Sequence, residues 1–218
     1  MRWATFDCYG TLIDWNGGIL AQLERLFGVQ DAPRLLERYH EVEPEIQQDG
    51  SLPYRAVMTE ALIRLAEEER LPIPEGESDA LARSLPEWEP FSEVPDALAE
   101  LRSRGWNLVI LSNSDRDLIS ASMQRLGVPF DLAIVAGEIG SYKPAHAHWE
   151  RFFESTTADK AHHVHVAASL YHDIAPAREL ELTSVWINRL GEEADPEPDR
   201  ELRDLSELPD TLDELVPA

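Results

Sequence analysis

Four short polar segments of this chain carry the residue types from which a covalent hydrolytic site is built. They are Asp7-Cys8-Tyr9-Gly10-Thr11-Leu12, Ser112-Asn113-Ser114-Asp115, Ser141-Tyr142-Lys143-Pro144 and Ala168-Ser169-Leu170-Tyr171-His172-Asp173. Together they supply a carboxylate, a hydroxyl and amide pair, a lysine and a second carboxylate. A carboxylate held beside an ammonium stays ionised and can attack an electrophilic carbon or phosphorus, giving an ester that water then cleaves. On that chemistry Asp7 is the candidate nucleophile, and Lys143 keeps it charged and helps to bind an anion. Ser112 and Asn113 would donate hydrogen bonds to negative charge, and Asp173 would position or deprotonate the water, or hold Lys143. His172, beside Asp173, is a candidate base near neutral pH. Taken singly these are ordinary turn, cap and helix-start residues, and Cys8 reads as a small buried apolar group. Their conjunction is what points to a site.

Elements must exist to bring such distant segments together. Short apolar runs at 3–6, 108–111, 163–167 and 184–187, with a fifth at 132–136, read as buried strands. Helix-like stretches at 117–126 and 146–155 alternate with them, which argues for a parallel sheet with crossover helices. In an open parallel sheet, ligands bind beyond the carboxyl ends of the strands, where three of the four polar segments directly follow an apolar run and the fourth leads into the helix at 146. The stretch 14–90 differs. It has no β-type run, and its apolar residues recur at helical spacing, as in Leu20, Leu23, Leu26 and Phe27, or Ala56, Leu62, Ile63 and Leu65. Pro86, Pro90 and Pro95 mark the return to the sheet. The expected organisation is therefore an α/β core formed by 1–13 and 91–218, with a helical insertion at 14–90. The spacing of Leu205, Leu208, Leu212 and Leu215 suggests that the acidic tail ends by docking on the core.

Composition narrows the partners. The 218 residues carry 42 acidic and 19 basic side chains, a formal charge of −23. Binding nucleic acid or an anionic membrane surface needs clustered cations that such a chain does not offer globally. The acidity is uneven: 14–90 holds 17 acids against 7 bases and 191–218 holds 11 against 2. The segments bearing Asp7, Ser112, Lys143 and Asp173 are near neutral, and Lys143 is one of two lysines in the chain. With one cysteine there is no internal disulfide framework. The early acid at Asp7 does not suit a secretory signal and no long apolar span exists, so a cytoplasmic location is expected. The partners expected are a small anionic substrate and, for self-association, a homodimer.

The four ordered motifs resemble those of the haloacid dehalogenase superfamily, and the resemblance covers nearly the whole chain. It implies a Rossmann-like three-layer core with a helical cap, with Asp7 as nucleophile, Ser112 and Lys143 on the anionic group, and Asp173 as the acid of the last motif. Phosphatases of that superfamily carry a second Asp two residues after the nucleophile, where this chain has Tyr9. Their last motif usually has two acids that help to bind magnesium, whereas here Ala168 and Ser169 precede the single Asp173. Both departures resemble the type II 2-haloacid dehalogenase branch, which works without metal; a halide leaves as an anion and needs no proton. The resemblance makes Tyr9, Thr11, Ser112 and Asn113 substrate-binding, and places Arg38 or His40 where that branch has the cap arginine that cradles halide and carboxylate. Ala168 and Leu170 stand where it has Ser and Asn, and Trp149 stands where it has Tyr. Trp15, Tyr39, Tyr54 and Trp149 are expected to line the pocket beneath the cap. The expected function is hydrolysis of a short 2-halo carboxylic acid without a cofactor. The alternatives are a magnesium-dependent phosphatase, with the ion on Asp7, Tyr9 and Asp173, or a catalytically weak anion-binding relative.

Overall fold

The computed structural model describes residues 1–47 and 52–218, so 48–51 of the helical insertion lie outside the described residues. Six parallel strands form one sheet in the order β3-β2-β1-β4-β5-β6. The chain runs β1 (Arg2–Phe6), then α1 (Trp15–Phe27), α2 (Ala32–Gln47), α3 (Tyr54–Glu69) and α4 (Ala80–Ser84) before α5 (Val94–Ser103) returns it to β2 (Trp106–Ser112). It continues through α6 (Arg116–Leu126), β3 (Leu132–Val135), α7 (Ala136–Ile139), α8 (Ala147–Ser155) and β4 (His163–Ala167). Then follow α9 (Ala175–Glu179), β5 (Thr183–Ile187), β6 (Arg200–Leu202) and α10 (Leu208–Leu215). Strand order reverses between β1 and β4. At such a reversal the loops leaving two adjacent strands diverge and open a crevice beyond their carboxyl ends.

β1 to β5 are nearly continuous apolar runs because helices cover both faces of a parallel sheet. β6 is the strand that hydrophobic periodicity does not reveal. Its Arg-Glu-Leu is largely exposed at the sheet edge, where only backbone pairing with β5 defines it. The strand run expected at 132–136 ends one residue early, since Ala136 starts α7.

The insertion is helical throughout its described regular elements, and one buried cluster joins it to the sheet: Phe6, Leu12, Ile19, Leu23, Leu35, Leu62, Leu85 and Ile110 all belong to it. α1 is capped by Asp14, whose carboxylate accepts from Gly17 N at 2.9 Å. It packs so closely on Trp88 that a Cβ at Gly18 would stand 2.2 Å from that ring. The N-terminus of α3 is capped from outside the insertion: Asp115, in the loop after β2, accepts from the backbone N–H of Tyr54 and Arg55 at 3.2 and 3.0 Å. The tail ends on the core, with Leu205, Leu208 and Leu212 fully buried.

Candidate active site

Asp7 follows β1 at the strand reversal, and its backbone N–H donates to Val166 O at 3.1 Å. Gly10, at φ +86°, lets the chain turn there so that Gly10 N reaches Ile13 O. That turn brings the Thr11 hydroxyl back to donate to Asp7 Oδ2 at 2.8 Å while its oxygen accepts from Ala168 N at 2.9 Å. Thr11 is fully buried and ties the β1 loop to the β4 loop, so it orients the carboxylate rather than facing the cavity, a correction to its expected substrate contact.

Lys143 comes from the loop before α8 and is buried to 2% exposure. Its Nζ donates to Asp7 Oδ1 at 2.9 Å, Asp173 Oδ1 at 2.7 Å and Leu111 O at 2.9 Å. Burial alone would pull its pKa down, but Asp173 and Asp7 outweigh that and hold it above its ordinary value. For Asp173 burial acts upward, and the nearby Lys143 charge together with the His165 hydrogen bond brings the carboxyl well below its usual range. Asp173 is therefore ionised. Its Oδ1 accepts from both Lys143 and His165, while Oδ2 is buried without a partner among the described residues.

Asn113 clasps the backbone of Lys143: its Oδ1 accepts from Lys143 N at 2.5 Å and its Nδ2 donates to Lys143 O at 2.9 Å. Its amide thus holds the lysine loop, and Asn113 also lines the cavity, with Nδ2 3.5 Å from Gln47 Oε1. Ser112 ends β2 and lines the cavity. Tyr9 lines it with its ring, stacked on Tyr54, while its hydroxyl meets Ser122 Oγ at 3.1 Å. Burial, followed by the neighbouring Cys8 and Asp7, pushes the Tyr9 phenol well up, so it stays neutral.

Above these residues lies a cavity of about 560 Å³. Helix α2 gives it His40, Glu43, Pro44 and Gln47, one helical stripe at i, i+3, i+4 and i+7. Arg38 lies about 200° around the helix from His40 and cannot share that face. It points to solvent, paired with Glu41 and with Glu68, so of the two only His40 lines the cavity. His40 stacks on Trp15 and meets Asn16 Oδ1 at 2.9 Å, and burial lowers its pKa, so it reaches the cavity as a neutral ring. Trp15 and Tyr54 line the wall; Tyr39 is buried behind it. Trp149 is fully buried on the other side of the sheet cluster, edge-on to His165, and does not line the cavity, which corrects its expected place in the pocket. α8 turns that side chain into the apolar layer under β2 and β3.

Glu43, Arg189 and Asn188 are among the cavity residues that were not expected. Glu43 is pushed up to about 7 by burial, partly offset by a hydrogen bond from Tyr54. Arg189, just after β5, lies over the Phe91 ring at 3.6 Å and donates through Nη2 to Thr11 O and Glu93 Oε1. Asn188 precedes it. Asn188 and Arg189 directly follow the apolar run at 184–187, so the strand-end rule reaches them too.

Magnesium requires several hard oxygen ligands in near-octahedral array. Here the ammonium of Lys143 stands between the two carboxylates, and the third expected position, Tyr9, is a neutral phenol bonded to Ser122. Among the described residues no group of three or more His, Cys, Asp or Glu is placed to hold a metal ion. This donor set does not fit that ion. The chemistry it supports is that of two carboxylates, a lysine and water.

A family model described as haloacid dehalogenase-like hydrolase matches residues 1–181. The chain is 35% identical over 121 residues to an (S)-2-haloacid dehalogenase of Pseudomonas sp. (strain YL), over 53% of this chain and about half, 52%, of that relative. It is 27% identical over 191 residues to haloacetate dehalogenase H-2 of Moraxella sp. (strain B), covering 85% of each. The crystal structure of the L-2-haloacid dehalogenase RSc1362 has the same fold, with a TM-score of 0.86 at 24% identity over 97% of this chain and 98% of the other.

Proposed function

Because the chain belongs to the haloacid dehalogenase-like hydrolase family, we propose that it hydrolyses the carbon–halide bond of a short 2-halo carboxylic acid with Asp7 as nucleophile. An Asp7 carboxylate oxygen attacks C2, the C2–halide bond breaks, and the halide leaves with the bonding electrons. Water then adds to the Asp7 ester carbonyl, its proton passing to Asp173. The acyl C–O bond breaks, the departing alkoxide takes that proton back from Asp173, and the 2-hydroxy acid is released. The regenerated Asp7 carboxyl sheds one proton to solvent.

One observation carries this reading. The position two residues after Asp7 is a neutral phenol engaged with Ser122, so no carboxylic acid stands there to protonate a leaving alkoxide. A leaving group stable as an anion suits that arrangement. The names of the relatives, (S)-2-haloacid and haloacetate dehalogenases, favour the same substrate class. Lys143 has all three N–H groups on protein acceptors, so the substrate carboxylate falls to Ser112 and to Arg189, the arginine among the cavity-lining residues.

The test is a panel of fluoro-, chloro- and bromo-acids, both enantiomers of 2-chloropropionate included, beside a generic phosphate ester, each with and without EDTA. Halide release insensitive to EDTA, matched by one proton per halide and abolished in Asp7→Asn, is the expected result. Phosphate release lost in EDTA would establish the phosphatase instead. Release of neither would leave an anion-binding relative.

A further inference from the structure

β4 carries two histidines in its interior, His163 and His165, both fully buried. Two residues apart on a strand, they share one face of the sheet. Thr5 of β1 stands opposite His165 in the parallel register. Its Oγ1 is 2.8 Å from His163 Nε2 and 2.8 Å from His165 Nδ1, and His165 Nε2 is 2.9 Å from Asp173 Oδ1. A polar chain thus runs under the catalytic floor, and strand interiors covered by helices do not ordinarily hold one.

Donor and acceptor roles follow from its outer end. Asp173 is ionised and only accepts, so His165 Nε2 carries the hydrogen. In a neutral His165, Nδ1 is then a lone pair that takes the Thr5 hydroxyl hydrogen, and the Thr5 oxygen accepts from His163 Nε2–H. His163 Nδ1, a lone pair in this scheme, has no partner among the described residues.

We propose that His165 is a positioning residue for ester hydrolysis: with Lys143 it pins Oδ1 of Asp173, leaving Oδ2 to take the proton of the attacking water. This rests on the dehalogenase reading and assigns a part of it to a side chain outside the four motifs. Trp149, edge-on to the His165 ring at 5.2 Å, and Thr5 fix the plane of that imidazole. Two donors on one oxygen fix the rotation of the carboxylate about its Cβ–Cγ bond. Without His165, Oδ1 would keep Lys143 alone and the carboxylate could swing.

The two chemical steps separate this role from a merely structural one. His165→Phe keeps the ring and removes the donor; His165→Gln restores an N–H near the Nε2 position. In single-turnover reactions with 2-chloropropionate, His165→Phe is expected to release its first halide at close to the wild-type rate. Hydrolysis of the ester should then slow by about 10- to 100-fold, so that Asp7 is found esterified by mass spectrometry. His165→Gln should recover most of that loss at an unchanged melting temperature. Equal slowing of both steps, or no recovery in a folded His165→Gln protein, would overturn the role while leaving the dehalogenase reading intact. No halide from the wild-type protein would overturn both. Should His165→Phe fail to fold, ¹⁵N spectra of wild type at pH 7 decide: the Nε2–H tautomer is expected at His165, and an Nδ1–H tautomer contradicts the assignment.

Discussion

Every N–H of Lys143 meets a protein oxygen, two of them carboxylates and one the Leu111 carbonyl. The residue therefore organises the acids and has no hydrogen left to bind a substrate directly. In the proposed reaction that duty falls to Arg189, which lines the cavity and whose Nη2 donates to Thr11 O and Glu93 Oε1. Replacing Arg189 by Met is expected to raise KM for a 2-halo acid about tenfold or more, the weight of a charge-assisted hydrogen bond, with a smaller change in kcat. Arg38→Ala, which removes an arginine paired to Glu41 and Glu68 on the solvent side of α2, should leave both constants unchanged. Steady-state kinetics on the two variants decide the assignment. A large effect from Arg38 with none from Arg189 would reverse it.

At the scale of elements, the insertion is held on the core by close contacts of specific residues. Asp115 caps α3 across the chain, and Gly18 lets α1 lie against Trp88. Gly18→Ala would gain helix propensity, yet its methyl would sit inside the Trp88 ring, so overpacking wins: a net loss of about 1–3 kcal/mol is expected in urea titrations. A gain in stability would show that α1 can slide. The same elements mark how far the sequence is legible. β1 to β5 announce themselves as buried apolar runs, and Asp7, Lys143 and Asp173 lie beside such runs or a helix start, so strand-end logic brings them to one edge. The face of α2 was harder, because Arg38 and His40 are both polar and only the buried partners Leu35, Tyr39 and Val42 define the phase of the helix. Trp149 stands at the position where the resembled branch has a pocket tyrosine, but an aromatic residue in α8 serves the core equally well. β6 has no side-chain pattern at all. His165 is invisible from sequence as a polar participant, since a histidine in an apolar strand gives no sign of which partner it meets.

For the whole molecule, folding buries histidines in the neutral state. Burial first, and then the nearby Lys143 charge, lowers His148 to about 4; burial, then His165, lowers His163 to about 3. His40 and His172 are lowered as well, burial being the largest cause. In the unfolded chain these groups titrate near 6.5, so below about pH 6.5 the unfolded state binds protons that the native state refuses. Glu43, raised to about 7 by burial, acts in the opposite sense between about pH 7 and 4.5, where the native state alone holds its proton. Several histidines outweigh one glutamate. Global stability, read from urea midpoints, is expected to be nearly flat from pH 7 to 6 and to fall from pH 6 to 4. Each fully titrating histidine contributes a slope of at most about 1.4 kcal/mol per pH unit. Below about pH 4 the depressed Asp173 adds its own loss as the unfolded chain protonates its carboxyl first. Stability that rises steadily on acidification to pH 5 would contradict this balance, and Glu43→Gln should steepen the fall.

The thiol of Cys8 sits next to the nucleophile and is fully buried. Burial, then the charge of Asp7, pushes its pKa well up despite the opposing pull of Lys143. A 2-halo acid is an alkylating agent, and a thiolate is the side chain it would ordinarily consume. An enzyme that admits such a compound beside its single cysteine would inactivate itself if that sulfur were ionised and reachable. In the proposed reaction, keeping Cys8 protonated and covered leaves Asp7, whose adduct water can undo, as the group that reacts, and excludes the thioether, which water cannot undo. Native protein incubated with iodoacetate at pH 8 should therefore gain no carboxymethyl group at Cys8, and unfolded protein should gain one.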